Sequence, residues 1–293
     1  MPSTTTRKCP QCGQIESRPI AALAKQHIVR CKSCGFVYTG WEPTEQELVA
    51  YYEHYPAPST ISPITITRYD ELLKRFAPYR KMGRLFEVGC GAGHFLERAK
   101  MQEWDVQGNE YGELTMKACR DRGIPVTEGK LDPDAHELGS YDIVCSFEVI
   151  EHVIHPRIEI KNMLALLRPG GLLYLTTPNY NSLARMIAPG EWSVASYPEH
   201  LNYFTSRTMS KMAGSEGARK KWLTTTGVSV ERWRTKQNRT PEDHIAAHLV
   251  QEDLRARMET ETTMKIFKRV ANSILDLIKV GDSMKAGFEK PLQ

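Results

Sequence analysis

Short apolar runs alternate with amphipathic segments through the middle of this chain. Apolar runs of strand length predict buried strands, and the segments between them have the three-to-four-residue apolar spacing of helices. The predicted strands are 85–88, 104–110, 124–128, 141–147 and 171–176, and the predicted helices are 95–102, 113–121 and 157–167. Strands that alternate with helices form a parallel sheet covered on both faces. The expected fold class is therefore α/β, with a doubly wound, mostly parallel sheet.

The flanking segments are less regular. Ahead of the sheet, Thr44 and Glu47 have the capping-box form that starts a helix near 44–52, and a second amphipathic helix is expected at 69–77. Tyr51, Tyr52 and Tyr55 either pack the connection onto the main domain or contribute to a substrate site. Behind the sheet, the pattern predicts a helix at 206–214, a strand at 222–233, a mostly helical insertion near 241–280 and a last strand at 284–289.

The stretch 85–95, LFEVGCGAGHF, combines a buried strand, a glycine turn and a helix start. Gly89, Gly91 and Gly93 alternate with small residues, so the backbone can adopt positive φ and a ligand can lie against it. The helix that begins near His94 presents free backbone N–H groups to whatever covers the glycines. This combination predicts a nucleotide-type site.

Two acidic residues narrow the choice of nucleotide. A dinucleotide fold uses G-x-G-x-x-G, whereas this chain has G-x-G-x-G preceded by Glu87. A carboxylate beside the loop repels a pyrophosphate but suits the ammonium group of an amino acid. Glu110 ends the next strand, where a carboxylate can accept both hydroxyls of a ribose. The ligand that fits is an adenosine joined to an amino acid, which describes S-adenosylmethionine (SAM).

The stretch EVGCGAG followed by Glu110 resembles the first two motifs of class I SAM-dependent methyltransferases. YDIVCSFEVIEHV and LRPGGLLYLTTPN resemble the fourth and fifth strands of the same family with their adjoining turns. The resemblance implies a seven-stranded sheet that ends in the strand 284–289. The residues that it assigns to the cofactor are Glu87, Gly89, Gly91, Gly93, Glu110 and Glu148.

The first 34 residues contain two C-x-x-C pairs separated by 18 residues, a spacing typical of a tetrahedral zinc ribbon. Gly13 and Gly35 follow the pairs and allow backbone N–H groups to turn toward the sulfurs. Four thiolates leave no open coordination position, so the expected Zn²⁺ is structural. Its ligands are Cys9, Cys12, Cys31 and Cys34. The expected domains are therefore a ribbon at 1–40, a linker with cap helices at 41–80, and the methyltransferase domain at 81–293.

A long aromatic loop follows residue 177, and loops of this kind are usually functional. Tyr197-Pro-Glu199-His200-Leu resembles a segment of zinc-containing deoxysugar C-methyltransferases, whose amino-terminal zinc module also resembles this one. Those enzymes carry a further C-terminal domain, which the remaining sequence is expected to be too short to hold. The resemblance implies that His200 is the general base, with Glu199 and Tyr197 beside it. The alternative is that His200 is only packed among Tyr197, Tyr203 and Phe204.

A second acidic and basic pair, Glu151 and His152, falls at the carboxyl end of the strand 141–147. Ligands bind at that edge of open α/β sheets. The pair is either an acid and base for catalysis or a packed part of the loop, in which case only Glu148 lies near the cofactor. His155, before Pro156, is expected to be a loop residue.

Composition limits the functional classes. The 293 residues are 41% hydrophobic and 25% charged, the net charge is +4, and apolar runs are cut short by charges before they reach membrane length. Seven cysteines, an odd number, with four in metal-ligand spacing, fit a reducing cytoplasm without disulfides. The expectation is a cytoplasmic enzyme with a small, polar or anionic substrate and no membrane partner.

The predicted function is SAM-dependent methyl transfer to a small polar acceptor, expected to be a sugar or a nucleotide-linked sugar. The alternative is an RNA methyltransferase whose ribbon grips RNA, because the first 40 residues contain six basic residues and one acidic residue. The basic residues are Arg7, Lys8, Arg18, Lys25, Arg30 and Lys32. A third class, a non-catalytic ribbon scaffold, is disfavoured by the intact glycine motif and Glu110.

Overall fold

The computed structural model describes residues 6–44, 46–48, 60–227 and 262–292, which form two sheets. The strands are β1 (Ser17–Pro19), β2 (Ile28–Cys31), β3 (Val37–Thr39), β4 (Arg84–Val88), β5 (Asp105–Glu110), β6 (Val126–Glu128), β7 (Tyr141–Phe147), β8 (Leu167–Pro178), β9 (Asn202–Tyr203), β10 (Arg219–Thr226) and β11 (Ser283–Glu289). The α-helices are α1 (Pro63–Phe76), α2 (His94–Met101), α3 (Glu113–Asp121), α4 (Pro156–Leu166), α5 (Leu183–Ile187), α6 (Ser206–Ser215) and α7 (Thr262–Leu277).

The larger sheet has seven strands in the order β10-β11-β8-β7-β4-β5-β6. Strands β4, β5, β6, β7 and β8 run parallel to one another, while β11 is antiparallel to both β8 and β10. The expected seven-stranded, mostly parallel α/β sheet is therefore confirmed. After β4 the chain builds one half of the sheet, and from β7 onward it builds the other. This reversal opens a crevice at the carboxyl ends of β4 and β7, where ligands bind in such sheets.

Apolar clusters cover both faces of this sheet. On one face, Phe76 of α1 and Phe95 of α2 pack against Leu85 of β4. On the other face, Ile160 of α4 and Met209 of α6 are fully buried in a second cluster. The alternation of strands and helices in the sequence therefore corresponds to a sheet sandwiched between helices.

Several element boundaries differ from the predictions. Helix α1 begins at Pro63 rather than at residue 69, because the Ser62 side chain accepts a hydrogen bond from the Thr65 N–H and caps the helix. Strand β8 begins at Leu167, four residues before the predicted start. Strand β10 accounts for the first part of the strand predicted at 222–233. The remainder of that strand, the tyrosine cluster at 51–55 and the predicted helical segment 241–261 lie outside the described residues.

The smaller sheet joins the amino-terminal segment to the aromatic loop. Its order is β1-β2-β3-β9, and β3 pairs antiparallel with β9 so that Val37 lies opposite Tyr203. Arg7 is buried and donates hydrogen bonds to the Leu201 carbonyl at 2.9 Å and to Asn202 Oδ1 at 3.0 Å. The predicted ribbon and strand β9 of the aromatic loop therefore belong to one sheet.

Among the helices in the described part of the chain, none combines the length and the apolar character needed to cross a membrane.

Candidate active site

The first and last glycines of the turn after β4 are closely packed against neighbouring residues, whereas the middle glycine has open space beside it. Gly89, Gly91 and Gly93 have φ values of 67°, 53° and 77°. A Cβ atom on Gly89 would lie 2.6 Å from Val149 Cγ2, and one on Gly93 would lie 2.8 Å from Cys119 Sγ. A Cβ atom on Gly91 would meet nothing within 4 Å. The outer glycines are thus needed for close packing, and Gly91 leaves space beside the backbone for a ligand.

The Glu110 carboxylate ties the glycine turn to the end of β5. Oε2 accepts a hydrogen bond from the Gly91 N–H at 2.8 Å. Oε1 accepts from the Tyr111 N–H at 2.8 Å and from the Gly112 N–H at 3.2 Å. Two carboxylate oxygens have about four acceptor positions, so the group retains capacity for a ligand hydroxyl. Glu110 is therefore positioned to hold a ligand and the turn together.

Glu87, at the end of β4, is a buried carboxyl group with an orphaned oxygen. It is 4% exposed, and among the described residues its Oε2 has no hydrogen-bond partner. Burial, followed by the negative potentials of Cys119 and Glu110, raises its pKa well above the ordinary value. A cationic ligand group would satisfy the oxygen and restore the charge. The residues present thus fit the amino-acid end of SAM beside Glu87 and the ribose beside Glu110.

Glu148 occupies the first position after β7 in a left-handed backbone conformation, with φ of 53°. This conformation costs a residue with a Cβ atom roughly 1–2 kcal/mol. The Glu148 N–H donates to the Thr176 carbonyl and to Thr176 Oγ1, each at 3.1 Å. These bonds to β8 hold the turn in place, so Glu148 and the residues after it lie at the crevice.

Glu151 and His152 follow on the same turn and form a cluster with His200 of the aromatic loop. One ligand atom from each residue lies within 4.8 Å of the others. The His152 and His200 ring centroids are 4.7 Å apart, and His152 Nε2 is 3.9 Å from Glu151 Oε1. The sequence indicated Glu151 with His152 and, separately, His200. It contained no signal that the aromatic loop brings all three together.

Backbone carbonyl groups fix both imidazole rings. His152 Nδ1 lies 2.8 Å from the Glu199 carbonyl oxygen, and His200 Nδ1 lies 2.6 Å from the Val194 carbonyl oxygen. A carbonyl oxygen only accepts, so each Nδ1 carries the hydrogen, and in the neutral ring the lone pair is on Nε2. Burial and then His200 lower the pKa of His152 to about 4, against the opposing effect of the Glu199 carbonyl. His152 is therefore neutral near pH 7.

The remaining residues of the YPEHL segment have other contacts. Glu199 meets His152 through its backbone carbonyl. The Tyr197 ring packs edge-on against His27 of the ribbon, with centroids 5.8 Å apart. The Tyr197 hydroxyl is buried and has no hydrogen-bond partner among the described residues. The structure thus brings His200 and the Glu199 backbone to His152, whereas Tyr197 contacts the ribbon.

The four amino-terminal cysteines converge as their spacing predicts, with sulfur atoms within 4.8 Å of one another. The Cys9 and Cys34 sulfurs are 3.5 Å apart, and the Cys12 and Cys31 sulfurs are 3.6 Å apart. Four thiolates bound at about 2.3 Å in a tetrahedron are about 3.8 Å apart, so the donor set fits Zn²⁺. Gly13 and Gly35 have φ of 75° and 76°, the turn geometry expected of such a site.

Some of the basic residues of the ribbon make contacts within the protein. Arg7 is 2% exposed, and Arg30 lies over the Tyr180 ring with its guanidinium carbon 5.6 Å from the centroid. Lys32 Nζ is 3.6 Å from Glu16 Oε2. Part of the positive charge from which the sequence suggested RNA binding is thus engaged in contacts within the protein.

The seven-stranded sheet, the open glycine turn and the two flanking carboxyl groups define a SAM-dependent methyltransferase fold. A family model described as a methyltransferase domain matches residues 64–246. The chain therefore belongs to the methyltransferase domain family. The resemblance to deoxysugar C-methyltransferases stays a prediction.

Curated relatives resemble this chain over part of its length. A ubiquinone biosynthesis O-methyltransferase of Marinobacter nauticus is 26% identical over 157 residues, which cover 50% of this chain and 60% of the relative. The enzyme with the same description from Bordetella avium is 31% identical over 116 residues, which cover 36% of this chain and 46% of the relative. The chain thus spans about half the length of the curated relatives it matches.

Solved structures share the fold at low identity. A SAM-dependent methyltransferase from Archaeoglobus fulgidus superimposes with a TM-score of 0.53 at 14% identity, covering 84% of this chain and 100% of that chain. Phosphoethanolamine N-methyltransferase 2 of Haemonchus contortus, in complex with SAM, superimposes with a TM-score of 0.50 at 16% identity, covering 77% of this chain and 52% of that chain. These likenesses concern the fold.

Proposed function

We propose that this protein transfers the methyl group of SAM to a hydroxyl oxygen of a small polar molecule. The observation that carries the proposal is that the turn after β7, which carries Glu151 and His152 of the cluster, packs against the glycine turn. Val149, two residues before Glu151, packs against Gly89. A group that handles protons therefore lies next to the site that fits SAM. The relatives described as O-methyltransferases support oxygen as the acceptor atom.

The cofactor lies across Gly89, Gly91 and Gly93 in this proposal. Glu87 accepts the ammonium group, because its orphaned oxygen is buried and needs a cationic partner. Glu110 accepts a ribose hydroxyl at its remaining acceptor position, and Glu148 faces the reacting end from the turn after β7. When bound, SAM supplies a methyl group made electrophilic by the adjacent sulfonium. The chain then has to hold the acceptor oxygen in line with that methyl group and to accept its proton.

His200 is the proton acceptor in this proposal. Its Nδ1–H donates to the Val194 carbonyl, so the neutral ring carries its lone pair on Nε2. A hydroxyl is a poor nucleophile until it loses its proton, and a positioned imidazole can remove the proton near neutral pH. Glu199 contributes by holding His152 against His200, and Tyr197 by anchoring the loop on the ribbon.

The four cysteines bind one structural Zn²⁺ in this proposal, through Cys9, Cys12, Cys31 and Cys34. The paired sulfur distances and the positive-φ glycines support it. Because β3 of the ribbon pairs with β9 two residues after His200, the metal also stabilises the loop that carries the proposed base.

The acceptor class is tested by incubating the protein with methyl-labelled SAM against three panels, namely phenols, nucleotide-linked sugars and total RNA. The YPEHL segment favours a sugar as the finer proposal, and the relatives' description favours a phenol-like hydroxyl. Label in either small-molecule panel supports the proposal, whereas label found only in RNA refutes it. Gly93→Val supplies the background, because its side chain would enter the space of Cys119 Sγ.

A further inference from the structure

The donor set of Glu151, His152 and His200 has a composition different from that of a simple acid and base pair. Two imidazoles and one carboxylate converge from two separate segments, the turn after β7 and the aromatic loop. We propose that this cluster binds a divalent transition-metal cation and that the acceptor hydroxyl binds at the remaining coordination position. The cation-binding claim stands on the cluster alone, and the role of the cation rests on the proposed function.

The distances require only a small contraction. The three ligand atoms lie within 4.8 Å of one another, and His152 Nε2 is 3.9 Å from Glu151 Oε1. Ligands at about 2.0–2.1 Å around a tetrahedral cation are about 3.3–3.4 Å apart. Rotations of side chains that already face one another close this gap, and the backbone can stay in place.

The surroundings of the two rings are those of metal-binding imidazoles. A metal-bound histidine usually donates its other ring N–H to a carbonyl or a carboxylate, which fixes the tautomer and the ring plane. His152 and His200 each do this through Nδ1, toward the carbonyls of Glu199 and Val194. The Nε2 atoms are then the coordinating atoms. The two carbonyl groups also come from the aromatic loop, so the loop supplies both a ligand and the supports.

The donor types select the metal. Two imidazole nitrogens suit Zn²⁺, Co²⁺ or Fe²⁺, whereas Mg²⁺ and Ca²⁺ prefer all-oxygen sites. Three protein ligands leave a position for a further ligand, as in catalytic zinc sites, whereas the four-cysteine site is closed. The two sites therefore differ both in ligand chemistry and in access.

The cation changes how the acceptor loses its proton. A hydroxyl bound to a divalent cation is more acidic and releases its proton to solvent water near neutral pH. An oxygen electron pair then forms the bond to the methyl carbon, the carbon–sulfur bond breaks, and sulfur keeps that bonding pair. Because His200 Nε2 has one lone pair, His200 is a ligand in this state, and its role as the proton acceptor belongs to the cation-free site.

Metal counting on the purified full chain tests the proposal. The protein is loaded with Zn²⁺, freed of unbound metal by gel filtration, and analysed by elemental mass spectrometry without SAM or acceptor. We expect two equivalents in the wild type and one in His200→Asn and in Glu151→Gln. His155→Asn is the matched control, since His155 is exposed on the same turn outside the cluster, and it should retain two. Calorimetric SAM binding by each variant reports that the sheet domain is folded.

Cobalt substitution assigns the two equivalents. Co²⁺ in the four-cysteine site gives intense thiolate-to-metal charge-transfer absorption, whereas Co²⁺ in the histidine cluster gives weak d–d bands only. The weak component should disappear in His200→Asn and persist in Cys31→Ser. A wild-type protein that retains one equivalent with only the thiolate spectrum overturns the proposal. Two equivalents without methyl transfer would refute the proposed function and leave the cation site standing.

Discussion

Glu110 has two proposed roles, recognition of the ribose and stabilisation of the glycine turn, and its replacement can distinguish them. Its carboxylate accepts hydrogen bonds from the N–H groups of Gly91, Tyr111 and Gly112, and in our proposal also accepts one from a ribose hydroxyl. Hydrogen bonds to a charged group contribute about 1.5–3 kcal/mol each. If Glu110→Ala forfeits one such contribution to binding, SAM affinity should fall roughly 10- to 150-fold.

Calorimetry with two ligands supplies the assay. S-adenosylhomocysteine and an analogue lacking both ribose hydroxyls are titrated into wild type and Glu110→Ala, which makes a double-mutant cycle. Recognition of the ribose predicts that the variant loses affinity for the first ligand and much less for the analogue. Glu113→Ala removes an exposed carboxylate from the first turn of α3 and should bind both ligands as the wild type does.

An equal loss for both ligands would refute ribose recognition by Glu110. It would mean that the carboxylate acts only by holding the Gly91 N–H and the turn. A thermal unfolding curve for Glu110→Ala measures that structural contribution separately, because the three backbone donors lose their acceptor in the free protein as well.

Four further outcomes follow from buried or clustered groups. Burial raises the pKa of Glu87, so SAM binding should release protons in wild type and fewer in Glu87→Gln, as calorimetry in buffers of different ionisation enthalpy would show. Burial opposes ionisation of Asp142, yet Arg168 and backbone N–H groups lower its pKa. Its stabilisation is present above about pH 3.9, the unfolded value, and is lost as pH falls through the folded value. Asp142→Asn should lower the free energy of unfolding by about 3–5 kcal/mol in denaturant titrations at pH 7, and a loss under 1 kcal/mol would contradict the reasoning. Cys31→Ser should remove the thiolate-bound zinc while calorimetry still detects SAM binding, and full retention of that zinc would contradict the four-cysteine site. His200→Ala should reduce kcat about 100-fold or more with SAM affinity unchanged, and wild-type turnover would make His200 a packing residue.

Much of the sheet domain is predictable because its signals are local. Strand β7 begins and ends at the predicted residues, since a continuous apolar run marks a strand buried on both faces. Helix α3 also matches the prediction at both ends. The early start of α1 had a signal in Ser62 and Pro63, a cap followed by a proline suited to the first turn, which the apolar periodicity alone did not reveal.

No local sequence pattern predicted the histidine cluster or the pairing of β3 with β9. His152 and His200 meet because the aromatic loop folds back over the turn after β7, and the pattern predicted only a long loop there. Strand β9 has two residues and pairs with β3 across most of the chain. A strand of two residues is too short to show the alternation of apolar and polar residues that marks a strand. Its partner strand is determined by packing between distant segments.

The pairing of β3 with β9 has a consequence for the order of events during synthesis. Arg7 and its acceptor Leu201 are separated by 194 residues. At about 5–20 residues per second, roughly 10–40 s pass between the emergence of the one and of the other from the ribosome. All four cysteines emerge early in that interval, while the edge of β3 has no partner strand and the Arg7 guanidinium has no Leu201 carbonyl to bind. Metal capture at the amino terminus can therefore precede completion of the sheet, and translation speed through residues 40–200 sets how long that exposed edge is available to other chains.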